Sequence, residues 1–204
     1  MFGTYRSGYR AILLLVALYC LVAVWITGNP VFFLFDDRPT ATFLIVWLVP
    51  LLAWYALVTA KLIARRRPRP LHRLRRYTGL NRAWLSRAVL LVGAMVLWAS
   101  AFSILKVNIP RLVPYYADPA LIAFDRAVFG TDPWRLTHAL IGPGGTVFLD
   151  RAYAAWFFVL IGCMGFVIQT RNARLQVISL LSLVLVWLVL GVGLATALAS
   201  VGPC

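Results

Sequence analysis

The sequence predicts an all-α integral membrane protein with about five transmembrane helices and short surface helices on the outer side between the third and the fourth. Hydrophobic residues make up 62% of the 204 residues, and the mean hydropathy of +0.86 is far above that of soluble domains. The long apolar runs show no period-two alternation, which favours helices, since a bilayer core about 30 Å thick takes about 20 helical residues. The predicted spans lie near residues 11–27, 41–63, 88–105, 152–168 and 175–200.

The first apolar run is predicted to be a retained transmembrane helix. Arg6 and Arg10 precede it as they would precede the core of a signal peptide, but no run of small residues marks a cleavage site. Cys20 would suggest lipoprotein processing, yet the bulky Tyr19 stands where a small residue is needed. The three cysteines are far apart in sequence and indicate neither a disulfide framework nor a metal site.

The charges divide into two groups that predict an orientation. The N-terminus and residues 61–87 and 170–174 hold fourteen Lys or Arg and no acidic residue, whereas residues 28–40 and 106–151 hold six basic and six acidic residues. Because Lys and Arg stay on the cytoplasmic side during insertion, the N-terminus is predicted inside and the C-terminus outside. The location expected from this pattern is a bacterial plasma membrane.

The basic segment between the second and third spans separates two predicted regions, a lead-in at residues 1–87 and a membrane domain at residues 88–204. A basic run can bind nucleic acid, but beside a membrane span it is more typical of contact with anionic lipid headgroups. Little aromatic interleaving is present for base stacking. We therefore predict membrane lipids as partners and no nucleic acid, and leave open an oligomer or partner helices.

The outer segment after the third span predicts two short capped helices. Asp118 precedes Pro119 and the apolar run after it stops at Gly130, and Asp132 precedes a proline and a run that stops at Gly142. Aspartate accepts from free amides at a helix start, and glycine takes the left-handed exit. Asp118 and Asp132 are accordingly interpreted as structural caps.

Three cations of this outer segment are candidate phosphate or lipid-headgroup ligands, Lys106, Arg111 and Arg126, because guanidinium and ammonium groups beside a lipid boundary suit a phosphate. The alternative is that Arg126 pairs with a neighbouring carboxylate. His138 has the pKa range of a general base but no evident partner, and His72 belongs to the opposite side. We identify no catalytic residue, metal site or cofactor, since glycine-rich phosphate loops, paired zinc histidines and nucleophile elbows are absent from the sequence.

Several runs of the outer segment and its flanks resemble the type-2 phosphatidic acid phosphatase superfamily, in the branch of inositol phosphorylceramide synthases, which are inositolphosphotransferases. They are FSILKVNIP at 102–110, residues 115–118, FDRAVFGTDPWRL at 124–136, LDRAYAAWFF at 149–158 and SVGPC at 200–204. The resemblance implies an outward-facing, metal-free site for lipid phosphate esters. It also implies a histidine nucleophile, a second histidine as acid, an orienting aspartate and cationic phosphate ligands.

The chain departs from that family at its catalytic motifs. No Ser is followed four residues later by His, and Lys106 is followed by Val113 and Pro114 where the family has Arg and Pro. The chain is therefore expected to be the N-terminal part of a lipid phosphatase or phosphotransferase, truncated and inactive alone. The alternative is a non-enzymatic membrane protein that binds anionic lipid or a partner protein; a channel is disfavoured because the spans contain almost no polar groups.

Overall fold

The structure is a computed structural model that describes residues 5–28 and 78–200, together with Arg76 and isolated helical positions between Leu52 and Ile63. The described part contains helices and no strand. The helices are α1 (Arg6–Thr27), α2 (Arg82–Leu112), α3 (Asp118–Phe129), α4 (Pro133–Gln169) and α5 (Ala173–Val186). The last of these continues without a break through a π-helix (Trp187–Leu194) into one turn, α6 (Ala195–Ala197).

Four helices are long and apolar enough to cross a membrane: α1, α2, α4 and the continuous helix Ala173–Ala197. They contain the predicted spans at 11–27, 88–105 and 152–168 and nearly all of that at 175–200. The predicted span at 41–63 lies outside the described residues except for isolated helical positions. The protein is therefore helical and suited to a membrane, as the sequence predicts.

The chain between the third and fourth spans differs from the prediction in one respect. Helix α3 begins at Asp118 and ends before Gly130, which has φ 71° and closes the helix through its amide to the Arg126 carbonyl. The predicted second short helix begins at Pro133 and is interrupted at Gly142, as predicted, with φ 62° and ψ −178°; α4 therefore consists of two helical segments that meet at this break, without the predicted turn between them. Helical geometry resumes at Pro143 because proline's fixed φ suits the first position of a helix. The fourth helix thus begins well before residue 152.

Helices α1, α2 and α5 run in the same direction. Tyr9 donates to Gln176 Oε1 at 2.6 Å, and Tyr19 donates to the Val184 carbonyl at 3.2 Å, so α1 and α5 advance together. The Tyr19 ring also meets Trp98 edge-on, with centroids 6.5 Å apart. Helix α4 runs the opposite way, since the Trp84 indole near the start of α2 donates to the Gln169 carbonyl at the end of α4.

Helix α2 is the centre of the bundle. Buried side chains occupy almost every position from Ala94 to Leu105, whereas α1 contributes one face through Ile12, Val16, Tyr19 and Ala23. That spacing of four, three and four residues is the helical period. The α1 helix approaches α5 closely because Gly8 has no side chain to meet Val177.

The surface of α4 is apolar and exposed. No residue from 110 to 160 is buried, and α4 exposes large side chains such as Phe158 at 69% and Phe166 at 70%. An apolar surface of this kind would be unfavourable in water but is the ordinary surface of a helix in lipid. This exposure agrees with a membrane location.

Candidate lipid-contact sites at the two ends of the bundle

The end of the bundle at which α2 stops is held together by contacts to the last described residues, and we call it the α3 end. The amide of Ala117 donates to the Ala199 carbonyl at 3.2 Å, and the Tyr116 hydroxyl donates to the Ala197 carbonyl. The Ser200 hydroxyl donates to Asp118. Helix α3 begins at Asp118, and Ala117 occupies the cap position. The Asp118 carboxylate joins the start of α3 to the chain after α6.

Asp132 occupies the cap position of α4, and its side chain binds two arginines. The carboxylate accepts from Arg126 Nε at 2.8 Å and lies 3.6 Å from Arg135 Nε. No backbone amide of α4 donates a capping hydrogen bond to this side chain. Hydrogen bonding and charge from Arg126, and charge from Arg135, hold the pKa of Asp132 below its ordinary value. The same pairing raises the pKa of Arg126. We name Arg126, Asp132 and Arg135 the arginine–aspartate cluster.

The three predicted phosphate ligands do not form one group. Arg111 donates to Asn108 Oδ1 at 2.9 Å, and that buried asparagine itself donates to the Ile104 carbonyl at 2.8 Å. Lys106 is exposed on another side of α2. The described contacts join neither of them to Arg126, whose cationic companion is Arg135 instead. The sequence signal for that companion was weak, because Arg135 follows a proline and a tryptophan and lies nine residues from Arg126.

His138 makes local contacts on its own helix. Its Nδ1 donates to the Trp134 carbonyl at 2.9 Å, which leaves Nε2 as the unprotonated nitrogen of the neutral ring. The ring meets the Trp134 indole edge-on with centroids 5.8 Å apart. No hydroxyl or carboxylate is placed against Nε2 by any described contact. This geometry orients the imidazole but supplies no nucleophile for it to activate.

The opposite end of the bundle carries the cationic charge, and we call it the arginine end. Arg6, Arg10, Arg82, Arg87, Arg171 and Arg174 come from the starts of α1, α2 and α5 and from the chain joining α4 to α5. Among the residues described at this end there is no carboxylate. Six cations from three separate parts of the sequence are thus brought to one face of the molecule.

Aromatic and amide groups position two of these arginines. Arg171 donates to Asn81 Oδ1 at 2.7 Å, and its guanidinium lies 5.9 Å from the centre of the Trp84 ring. Arg87 lies 5.8 Å from the centre of the Tyr9 ring. Such cation–π contacts hold a guanidinium without neutralising it. The Asn81 amide and the Trp84 ring are uncharged, so these contacts leave the positive charge of Arg171 in place.

A buried amide beneath the arginine end escaped the sequence prediction. Gln176 is fully buried; its Nε2 donates to the carbonyls of Ile168 at 2.7 Å and Thr170 at 2.9 Å, and its Oε1 accepts from Tyr9. The Ile168 and Thr170 carbonyls belong to the end of α4, where no further helical amide follows to bind them. Gln176 therefore closes the end of α4 and joins it to α1 and α5. A single glutamine in an apolar run gives no sequence signal for this role.

The described residues include no group of three His, Cys, Asp or Glu side chains that could hold a metal ion. Comparison with protein-family models, with curated proteins and with solved structures found no match for the chain.

Proposed function

We propose that this protein binds phosphate-bearing membrane lipids at its α3 end and belongs to the class of lipid phosphatase- and phosphotransferase-like membrane proteins that its sequence resembles. The observation that supports this most directly is the arginine–aspartate cluster. The side chains of Arg126 and Arg135 are 62% and 63% exposed, and one carboxylate engages only part of their hydrogen-bonding capacity. A phosphate group can accept from both guanidiniums at once, which is the arrangement that arginine favours with oxyanions.

Catalysis by this chain alone is not part of the proposal. Metal-free phosphate-ester hydrolysis of the implied type requires a nucleophilic histidine and a second, acidic one. The chain has two histidines, and the charge pattern predicts His72 on the other side of the membrane. His138 uses Nδ1 on a backbone carbonyl. We expect purified protein to release no phosphate from phosphatidic acid; measurable release that depends on His138 would contradict this part.

The proposed arrangement in the membrane has five crossings, with the arginine end in the cytoplasm and the α3 end outside. The parallel direction of α1 and α2 supports it, because two consecutive parallel spans require a return crossing between them. The sequence offers residues 41–63 for that return. In a background with Cys20, Cys163 and Cys204 replaced by serine, cysteine introduced at Thr131 should react with an impermeant maleimide added to intact cells, and cysteine at Arg69 should react only after lysis. The reverse pattern would overturn the orientation.

The headgroup proposal is tested by counting lipids bound to the purified protein. Native mass spectrometry with phosphatidic acid and with phosphatidylcholine should show preferential phosphatidic acid adducts for the unaltered protein. The double variant Arg126→Gln/Arg135→Gln should lose that preference. The control Arg151→Gln removes an exposed arginine of α4 outside the cluster and should retain it. Equal binding by the double variant and the unaltered protein would refute the proposal.

A second candidate function is non-enzymatic binding of anionic lipid at the arginine end. The convergence of arginines at this end, with no carboxylate among the residues that the structure describes there, favours it, since each cation near an anionic surface contributes about 1 kcal/mol. The triple variant Arg82→Gln/Arg171→Gln/Arg174→Gln should bind phosphatidylglycerol vesicles less tightly and with a weaker dependence on salt. If this variant loses anionic lipid while the cluster variant keeps it, the second function replaces the first.

A further inference from the structure

The middle of the bundle contains an apolar cavity of about 100 Å³ between α2, α4 and the π-helix. Most of its wall is buried core, with Met95, Trp98, Ala99 and Phe102 from α2 exposed by 8% or less. Helix α4 contributes Ile161 and Met164 to the wall and the more exposed Phe157. The cavity therefore extends from the core of the protein to the lipid-facing side of α4.

The position of this cavity along the helices places it in hydrocarbon. Met95 lies about 20 Å along α2 from Arg82, and Ser103 lies about 14 Å before the end of α2 at Leu112, at 1.5 Å per residue. Both distances leave the cavity near the centre of a bilayer core about 30 Å thick. At that depth the molecules surrounding α4 are lipid chains.

The lining is almost entirely apolar, and the indole nitrogen of Trp98 is buried without a hydrogen-bond partner among the described residues. The one hydroxyl in the wall, on Ser103, donates to the Ala99 carbonyl at 3.0 Å and is used within its own helix. An apolar cavity of about 150 Å³ stays dry and binds a small hydrocarbon such as benzene. An empty one would forfeit dispersion contacts along all of its walls.

The π-helix shapes the wall opposite α4. Trp187, its first residue, meets Phe102 edge-on with centroids 4.7 Å apart, and a Cβ on Gly191 would lie 2.8 Å from the Phe102 ring. Glycine at this position lets the ring lie against the π-helix and away from α4. Single π-helical turns inside α-helices occur frequently at functional sites.

From these observations we infer that the cavity binds the terminal part of one hydrocarbon chain of a membrane lipid, which enters from the side past Phe157. The methionines Met95 and Met164 suit a flexible chain, because their thioethers adapt to irregular shapes. The inference depends on the cavity and its depth and not on the headgroup site of the proposed function. Any lipid with an acyl chain of sufficient length satisfies it.

The test uses phosphatidylcholine with a photoreactive diazirine near the end of one acyl chain. The full chain is reconstituted in vesicles that contain this lipid, irradiated, and analysed by mass spectrometry of peptides. We expect adducts on the buried residues Met95 and Met164 as well as on lipid-facing Phe158 and Phe166. Adducts confined to exposed residues would overturn the inference. Absence of adducts at the buried positions together with a dimer in size-exclusion chromatography would assign the cavity to a second copy and equally overturn it.

Two variants identify the cavity as the source of the buried adducts. Ala99→Leu fills it and should abolish the adducts at Met95 and Met164 while those at Phe166 persist; Ala155→Leu makes the same change on the exposed surface of α4 and should alter neither. Should Ala99→Leu fail to fold, Met164→Ala enlarges the cavity and should increase labelling of Met95. Labelling of the buried residues that is changed by neither Ala99→Leu nor Met164→Ala would refute the assignment. The variant Arg126→Gln/Arg135→Gln should retain the buried adducts, which separates this inference from the headgroup proposal.

Discussion

The sharpest stability prediction concerns Gln176, because one buried amide makes three hydrogen bonds to two other helical segments. We replace it by methionine, which keeps the length and flexibility of the side chain and removes its polar atoms. The Ile168 carbonyl is then left buried without its partner, at a cost of about 1–3 kcal/mol. Hydrogen bonds between membrane helices average about 0.6 kcal/mol, which is a fair figure for the Tyr9 contact since Tyr9 is only half-buried. Together these terms give about 1.6–3.6 kcal/mol of lost stability for Gln176→Met.

The assay is reversible unfolding in mixed micelles, followed by circular dichroism. Gln169→Met is the matched control, since Gln169 is half-buried, makes no described side-chain hydrogen bond, and should change stability by less than about 0.5 kcal/mol. Tyr9→Phe should cost about 0.6 kcal/mol alone and less in the Gln176→Met background, because the two residues share one hydrogen bond. A Gln176→Met protein as stable as the unaltered one, or additive effects in the double variant, would refute the role given to this amide.

Three further predictions follow from individual contacts. Arg126→Gln should raise the pKa of Asp132 towards its ordinary value, measured by carboxyl-carbon NMR, whereas the control Arg151→Gln should leave this pKa unchanged. Because the pKa of Asp132 is depressed in the folded state, the contribution of the Arg126–Asp132 pair to stability is present above about pH 4. That contribution is lost as the pH falls through the depressed pKa. Gly191→Ala should destabilise the protein by about 1–3 kcal/mol because its Cβ meets the Phe102 ring, whereas Gly162→Ala, with nothing within 4 Å, should be neutral or stabilising; equal effects in the unfolding assay would contradict the close approach. Gly8→Ala should weaken the packing of α1 on α5 and lower the melting temperature, while Gly93→Ala, in open space, should not; a melting temperature unaffected by Gly8→Ala would show that α1 packs elsewhere.

The sequence predicted those features that depend on neighbouring residues. The apolar runs predicted the positions of four long helices, and the pair Asp118 and Pro119 with Gly130 predicted the start and end of α3. These signals are local because a helix end is decided by the few residues that meet its unpaired amides and carbonyls. The break at Gly142 was also predicted, but helical geometry resumes at Pro143 instead of after the predicted turn.

The features that the sequence did not predict depend on contacts between different helices. Tyr9 and Gln176 are separated by 167 positions, and nothing near either residue indicates the other. The cation beside Arg126 is Arg135, and not the predicted Lys106 or Arg111, because both arginines bind Asp132 at the turn between α3 and α4. No local sequence pattern determines this arrangement. The π-helix likewise has no sequence signal, since its residues have the composition of an ordinary apolar helix; in the structure its Trp187 packs against Phe102.

The common direction of α1, α2 and α5 has an electrostatic consequence for the arginine end. Each helix carries a macrodipole equivalent to about half a positive charge at its N-terminus, and among the four long helices that the structure describes α4 alone presents its negative end there. The backbone of these described helices therefore adds about one positive charge to the six guanidiniums instead of offsetting them. An anion bound at this end interacts with the dipoles of three helices as well as with side chains. Removing arginines one by one should leave a residual attraction that no side-chain substitution abolishes.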